Sequence, residues 1–337
     1  VTGAQTVHDE VVRGLAADVE RQLRMLAAPA DAWQPSDYLP DFASDSWHAT
    51  LTALRTEAAR LPEAVLVALV GDTVTEEALP SYAMALNQLV QDTQGTATGP
   101  WPRWLRGWTA EENRHGDLLN GYLRLSGRVD MRAVEVAIQH LLVGGFDSGS
   151  QADPYNLLVY TSFQERATRI SHGNVAGLAD QAGAPLLARI CRVIAGDEAR
   201  HETFYQRMMS RVFDVDPDGA MCAFAGMLDR QIVMPGQQMG GDDDPDLFDR
   251  FARVAQRIGV YTAADYAAIV AHLVRTWAVT TRPVHGEAAR AQERLGRAAE
   301  RYARLAARAG QFIARQRDPE FPWIAPRGAS SSSVARA

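Results

Sequence analysis

The sequence predicts an all-α protein, a four-helix bundle with additional flanking helices. Alternating β-branched runs bounded by turn residues are nearly absent, and helical periodicity recurs along the whole chain. Two segments, TAEENRHGDL at 109–118 and GDEARHETFY at 196–205, each place a glutamate three residues before a histidine with no turn signal between them. With 337 residues and 47% hydrophobic content, the chain can bury a sizeable core.

Helices are expected over 7–27, 46–60, 62–94, 103–126, 130–143, 154–181, 184–212, 217–235, 246–258, 262–279 and 285–315. Proline marks several starts: Pro62, Pro154, Pro185 and the pair Asp216-Pro217 sit where a missing N–H is harmless, because the first turn leaves its amides unbonded. Asp130 is placed to cap the helix after it. Within 62–94, Pro80 stands four residues after Glu76 and removes the amide that would bond the Glu76 carbonyl, so a kink is expected there. GTATGP at 95–100, VGGFDSGSQADP at 143–154 and QQMGGDDDPD at 237–246 read as loops, not linkers, which leaves a single domain over 1–325. The Ser/Ala-rich end, 326–337, lacks periodicity and is expected to be disordered.

Composition narrows the function. A formal charge of −7 argues against nucleic acid as the main partner, since phosphate neutralisation needs a basic surface. No apolar run approaches the ~18 residues of a membrane-spanning helix, and VTGAQTVHDE lacks the pattern of a signal peptide, so the cytoplasm is the expected compartment. All 34 basic residues are arginine and alanine is abundant, a coding bias expected of a GC-rich bacterial genome. Two cysteines, Cys191 and Cys222, are too few for a disulfide framework or zinc ribbon and read as core residues.

The chemistry lies in the repeated pair. Side chains at i and i+3 share a helix face, so Glu112 with His115, and Glu198 with His201, can each chelate one metal ion. Two further acidic ligands complete a dinuclear set: Glu76 precedes Glu112 by 36 residues, and Glu165 precedes Glu198 by 33. One Glu from each of two helices and one Glu-x-x-His from each of the other two is the ligand set of ferritin-like di-iron carboxylate bundles. Four carboxylates offset the charge of two Fe(II) ions, and oxygen and imidazole donors without thiolates suit iron or manganese better than structural zinc. The bland alternatives are a capping box at Thr109-x-x-Glu112 and surface positions for Glu198 and His201.

Nearby residues keep two readings. Thr168, one turn after Glu165, either points its hydroxyl toward the metal space to relay a proton or bonds back to its own helix. Asp197 is placed to orient a metal-bound histidine. Trp33 and His172 read equally as ordinary core positions.

VGDTVTEEALPSY, WTAEENRHGDLLNGYLRLSGRVDMR, YTSFQERATRISHGN, DEARHE, AWQPSDYLPDFASD and FDRFARVAQRIGVYTAADYA resemble the signature segments of the soluble acyl-[acyl-carrier-protein] desaturases, typified by plastid stearoyl desaturases. The resemblance spans roughly residues 10 to 325. It implies a homodimer of ferritin-like subunits, each with a di-iron centre of two Fe2+ ions at the end of an apolar channel. It also implies an enzyme that uses O2 and electrons from reduced ferredoxin to place a cis double bond in an acyl chain held by acyl carrier protein. Carried over by position, the iron ligands are Glu76, Glu112, His115, Glu165, Glu198 and His201, Thr168 lies near the oxygen site, and Trp33 and Asp197 lie on the electron-entry side. The chain departs from plastid members at Ala85, where they have methionine, and at Leu157, where they have glycine. Both are channel positions by resemblance, so chain length and double-bond position stay open. Ala199 replaces the usual lysine of DEARHE, which leaves Arg200 as the candidate docking residue for acidic carrier protein, an intramolecular salt bridge being its alternative.

Two other functions fit the ligand set. One is a related di-iron oxygenase that hydroxylates a carrier-bound specialised metabolite. The other is an iron-oxidising or iron-storage bundle with no organic substrate, which leaves the helices at 46–60 and 217–315 unexplained.

Overall fold

Four helices close a ring around the two Glu-x-x-His pairs: α4 (Glu63–Glu76), α6 (Pro100–Ser126), α8 (Pro154–Gln181) and α9 (Pro185–Val215). α4 packs on α6, α6 on α9, α9 along most of α8, and α8 back on α4. The computed structural model describes residues 3–90, 92, 94–313 and 320–324, and in them the only β-type pairing is an isolated bridge between Val129 and Ile324. The expected tail at 326–337 lies outside the described residues.

Local chemistry sets where the bundle helices begin and end. Pro154 opens α8 behind Asp153, whose carboxylate accepts from the amides of Tyr155 and Asn156. Pro100 and Pro185 occupy the same position in α6 and α9. α6 stops at Gly127, whose φ of +65° is open to glycine at no steric cost. α4 is apolar nearly all round, and the residues from Val65 to Val74 are all buried, as expected of a central bundle helix.

The other helices wrap this ring. α1 (Gly3–Gly14) lies on α8, and α2 (Ala16–Gln22) on α6; α3 (Trp47–Ala58) bridges α6 and α9. α5 (Leu79–Val90) covers α6, and α7 (Met131–Gly144) packs on α4 behind an N-cap in which Asp130 accepts from the Ala133 amide. α10 (Pro217–Asp229) rests on α8 and α9, α11 (Leu247–Ile258) on α4, and α12 (Ala263–Thr276) on α8. α13 (Gly286–Ile313) spans α10, α11 and α12.

Most expected helices hold to within a few residues, and the departures have physical causes. The expected helix 62–94 is two, because α4 ends at Glu76 and α5 starts at Leu79. Pro80 leaves the Glu76 carbonyl without its donor, and the chain turns through Glu77 and Ala78. The expected helix 7–27 breaks at Leu15 and ends in a 3₁₀ turn over Leu23–Met25. The expected helix 217–235 stops at Asp229, and Gln231 takes a φ of +64°.

Candidate metal centre

All six ligand candidates are buried, and the fold brings them to one place. Glu76 is the last residue of α4, Glu112 and His115 lie mid-α6, Glu165 lies in α8, and Glu198 and His201 lie in α9. They form two overlapping groups whose ligand atoms lie within 4.8 Å of one another: Glu76, Glu112, His115 and Glu198, and Glu112, Glu165, Glu198 and His201. Glu112 and Glu198 belong to both groups, which is the arrangement of two metal positions bridged by two carboxylates.

The fit to metal ions rests on unsatisfied atoms. Glu112 Oε1, His115 Nδ1, Glu165 Oε2, both oxygens of Glu198 and His201 Nδ1 are buried without a hydrogen-bond partner. Glu112 Oε1 lies 2.7 Å from His201 Nδ1, yet the two are misaligned for a hydrogen bond. Their lone pairs converge on common space instead. Buried carboxylates left like this cost several kcal/mol each, and two divalent cations would neutralise all four. The donors are oxygen and imidazole, as iron or manganese prefers. The residues therefore fit a dinuclear metal group.

Electrostatics without the ions show the same need. Burial and the charge of Glu198 push Glu165 well above the usual carboxylate range, and the same causes raise Glu112. For Glu198, burial is outweighed by His115 and His201, which hold it well below that range. Both histidines are raised well above the ordinary imidazole value, burial being outweighed for His115 by Glu112 and Asp197, and for His201 by Glu111 and Glu112.

An outer shell of carboxylates orients the histidines. His115 Nε2 lies 3.3 Å from Asp197 Oδ2, and His201 Nε2 lies 2.8 Å from Glu111 Oε2. Each histidine thus turns Nδ1 inward and is held by the acidic residue that precedes the shared glutamate of the other motif. Two arginines lock these acids: Arg114 donates to Asp197 (3.2 Å), and Arg200 donates to Asp197 (2.7 Å) and Glu111 (2.8 Å). The segment after α2 straps them from outside. The Ala27 amide donates to Glu111 (2.6 Å), the Met25 carbonyl accepts from Arg200 (3.0 Å), and Trp33 Nε1 donates to Asp197 (3.0 Å). The Trp33 ring also lies parallel to His115 at 6.0 Å between centroids.

The structure thus gives Trp33 a specific partner in Asp197. It puts Arg200 in the arrangement of its alternative reading, an intramolecular ion pair, with both ends of the guanidinium engaged. Thr168 Oγ1 donates to the carbonyls of Gln164 (3.3 Å) and Glu165 (3.1 Å), its back-bonded reading. Leu157 is buried in α8 one turn before Tyr160, and Ala85 lies in α5 one turn after Tyr82. Those two tyrosines flank Phe146, each at 5.6 Å between ring centroids.

Glu111, Trp108, Asp72 and the role of His172 were not singled out in the sequence. Trp108 Nε1 donates to Glu165 Oε1 (3.1 Å), leaving Oε2 for the centre. His172 Nε2 contacts Glu76 Oε1 (2.8 Å), and Ser171 donates to Asp72 (2.8 Å), whose carboxyl burial raises to about 6. Glu111 had a readable signal: EENRH and DEARH share an acid, a glutamate, a spacer, an arginine and a histidine in register.

Beside the centre lies a cavity of about 630 Å³. Glu76, Thr168 and His172 line it at buried positions, Met234, Phe248 and Phe251 supply apolar wall, and the exposed Gln231, Arg301 and Leu305 mark its mouth. Neither Ala85 nor Leu157 lines this cavity.

The sequence profile described as Fatty acid desaturase matches residues 7–325. The chain is 48% identical over 325 residues to the chloroplast stearoyl-[acyl-carrier-protein] 9-desaturase 1 of Oryza sativa subsp. indica, covering 94% of this chain and 85% of the relative. It is 44% identical over 305 residues to the acyl-[acyl-carrier-protein] 6-desaturase of Thunbergia alata, covering 90% and 79%. Among solved structures, that of a candidate acyl-ACP desaturase, DesA2 of Mycobacterium tuberculosis H37Rv, superposes with a TM-score of 0.51 at 22% identity, covering 81% of this chain and 97% of the other. That likeness bears on the fold alone.

Proposed function

This chain belongs to the fatty acid desaturase family, and from that premise we propose that it is an acyl-[acyl-carrier-protein] desaturase whose metal centre is a pair of irons. The reaction removes two hydrogens from adjacent methylenes of a saturated acyl chain on acyl carrier protein. With O2, two electrons and two protons it yields a cis double bond and two waters. The observation that carries this reading is the pair of overlapping ligand groups sharing Glu112 and Glu198, with their inward atoms unsatisfied, beside a largely apolar cavity.

An unactivated methylene offers no acid, base or leaving group, so the di-iron group with O2 supplies the oxidising power that no side chain has. The protein's own residues do the rest. Glu76 and His115 would hold one ion, Glu165 and His201 the other, and Glu112 and Glu198 would bridge them. Asp197 and Glu111 fix the histidine rings so that Nδ1 faces the ions. The apolar wall receives the acyl chain, keeps bulk water from the centre and limits which carbons approach it. Trp33, hydrogen-bonded to Asp197 and through it to His115, is the proposed electron entry from ferredoxin. Leu157 and Ala85 are proposed to shape the far end of the chain's path, and a homodimer is the proposed assembly.

Anaerobic titration of metal-free protein with Fe(II) tests the centre. Two ions per chain are expected, and His201→Ala should weaken loading and abolish turnover while helix content stays near normal. Full loading and full activity in that variant would falsify the ligand assignment.

A further inference from the structure

We propose that α13 carries the docking surface for the carrier protein, through a stripe of exposed arginines, Arg290, Arg294, Arg297, Arg301, Arg304 and Arg308, that borders the cavity mouth. This rests on the desaturase reading above and moves the docking residue away from Arg200, which is engaged internally.

The spacing is alternately four and three residues, a mean period of about 3.6 that matches the helical turn, so at about 100° per residue all six fall within an arc of roughly 80°. The stripe runs about 27 Å at 1.5 Å per residue. Ala288, Ala291, Leu295 and Ala298 repeat on a different face and are buried against the protein. The arginines are therefore presented outward by the same register that packs the helix. Within Gly286–Ile313 they stand against three glutamates, Glu287, Glu293 and Glu300, in a chain whose overall charge is −7. Here only Arg294 with Asp229 (3.6 Å) and Arg304 with Glu300 (3.7 Å) have a carboxylate within 4 Å among the described residues.

Placement gives the stripe its occupant. Arg301 and Leu305 line the cavity, and Leu305 is 50% exposed at its opening. Arg301 lies over the Tyr302 ring at 5.0 Å, and the Tyr302 hydroxyl donates to the Leu228 carbonyl (3.0 Å), so the guanidinium stands on an anchored base. An acyl chain delivered on a pantetheine arm enters such a cavity while its anionic phosphodiester and its acidic carrier stay outside, against the rim. Guanidinium groups bind phosphate and carboxylate oxygens in forked pairs, which suits both parts of that partner.

The test combines Arg297→Glu, Arg304→Glu and Arg308→Glu, none of which lines the cavity, alongside the milder triple change to Gln. Binding of fluorescently labelled stearoyl-carrier protein to the iron-loaded enzyme is followed by anisotropy across a salt series. Because exposed charges act within about 10 Å and mainly on encounter, the Gln triple should raise Kd several-fold. The Glu triple should raise it at least tenfold and flatten its salt dependence, with kcat at saturation, iron content and melting temperature unchanged. An unchanged Kd in the folded Gln triple overturns the proposal. So does wild-type binding to anionic lipid vesicles or single-stranded DNA that is tighter than to carrier protein and is lost in the same variants. Failure of the desaturase reading shows differently, as wild-type enzyme that forms no unsaturated product whatever its affinity for carrier protein.

Discussion

Glu111→Gln separates the two halves of the metal centre. Glu111 Oε2 contacts His201 Nε2 and Arg200 Nη2, each at 2.8 Å, and Oε1 accepts from the Ala27 amide at 2.6 Å. Glutamine keeps the shape but removes the charge and turns one acceptor into a donor, so at least one of these contacts meets donor against donor. Loss of a charge-assisted bond to a ligating histidine weakens metal affinity about 10- to 100-fold, or about 1.4–2.8 kcal/mol. The effect should fall on the ion held by His201 and Glu165, because His115 is oriented by Asp197, whose contact with that ring the substitution leaves in place. Anaerobic titration with Co(II), whose visible absorption reports each ion's coordination, should show one tight and one weakened equivalent. Asp197→Asn should weaken the other ion. Two equivalents of wild-type affinity, or equal loss at both positions, would refute the assignment of one outer carboxylate to each ion.

Thr168→Val should leave iron content intact and change stability by less than about 1 kcal/mol, since the hydroxyl bonds only its own helix; product formed per electron consumed should fall if the hydroxyl also serves the oxygen site, and an unchanged ratio reduces Thr168 to cavity wall. At Gly71 a Cβ would stand 1.9 Å from Phe251 Cε2, so Gly71→Ala must turn a ring that lines the cavity. A loss of about 1–3 kcal/mol is expected, read as a lower melting temperature with a higher KM, and wild-type values for both would contradict the packing. His115 and His201 are raised above the unfolded value of 6.5, burial being outweighed by their carboxylate neighbours. Their contribution to the metal-free fold is therefore complete below pH 6.5 and lost as pH rises through the raised values. Metal binding needs the neutral rings, so loading near pH 7 should release protons and tighten as pH rises; an indicator dye that records no release would contradict the protonated starting state.

The sequence was most legible where the physics is local. Proline at a first helical turn, the i, i+3 spacing of Glu112 with His115 and of Glu198 with His201, and the loss of a donor at Pro80 each depend on a few neighbouring residues, and the structure follows them. The helix break at Gln231 carries no comparable signal, because no glycine announces its positive φ, whereas the break at Leu15 has a single local cue, Gly14 just before it. Pairings between distant segments were the least legible. Glu111 meets His201 across 90 residues and Ala27 across 84, and only the matched register of EENRH and DEARH hinted at its role. Arg200 looked available for a partner because Glu111 reaches it from another helix, and only the Asp197 contact, three residues away on its own helix, was local. The arginine stripe of α13 was readable by periodicity, but its meaning depends on the cavity mouth, which forms only when α11, α12 and α13 converge.

Mass analysis of the product decides whether this centre desaturates a carrier-bound acyl chain. Iron-loaded protein is supplied with reduced ferredoxin, O2 and a panel of saturated acyl-carrier proteins, and the released acyl chains are weighed. A desaturase yields a chain lighter by two hydrogens, formed only in the presence of all three supplies and absent in His201→Ala. A chain heavier by one oxygen would make the protein a hydroxylase, and consumption of O2 with every acyl chain unaltered would make it an iron oxidase; either result rules out desaturation at this centre.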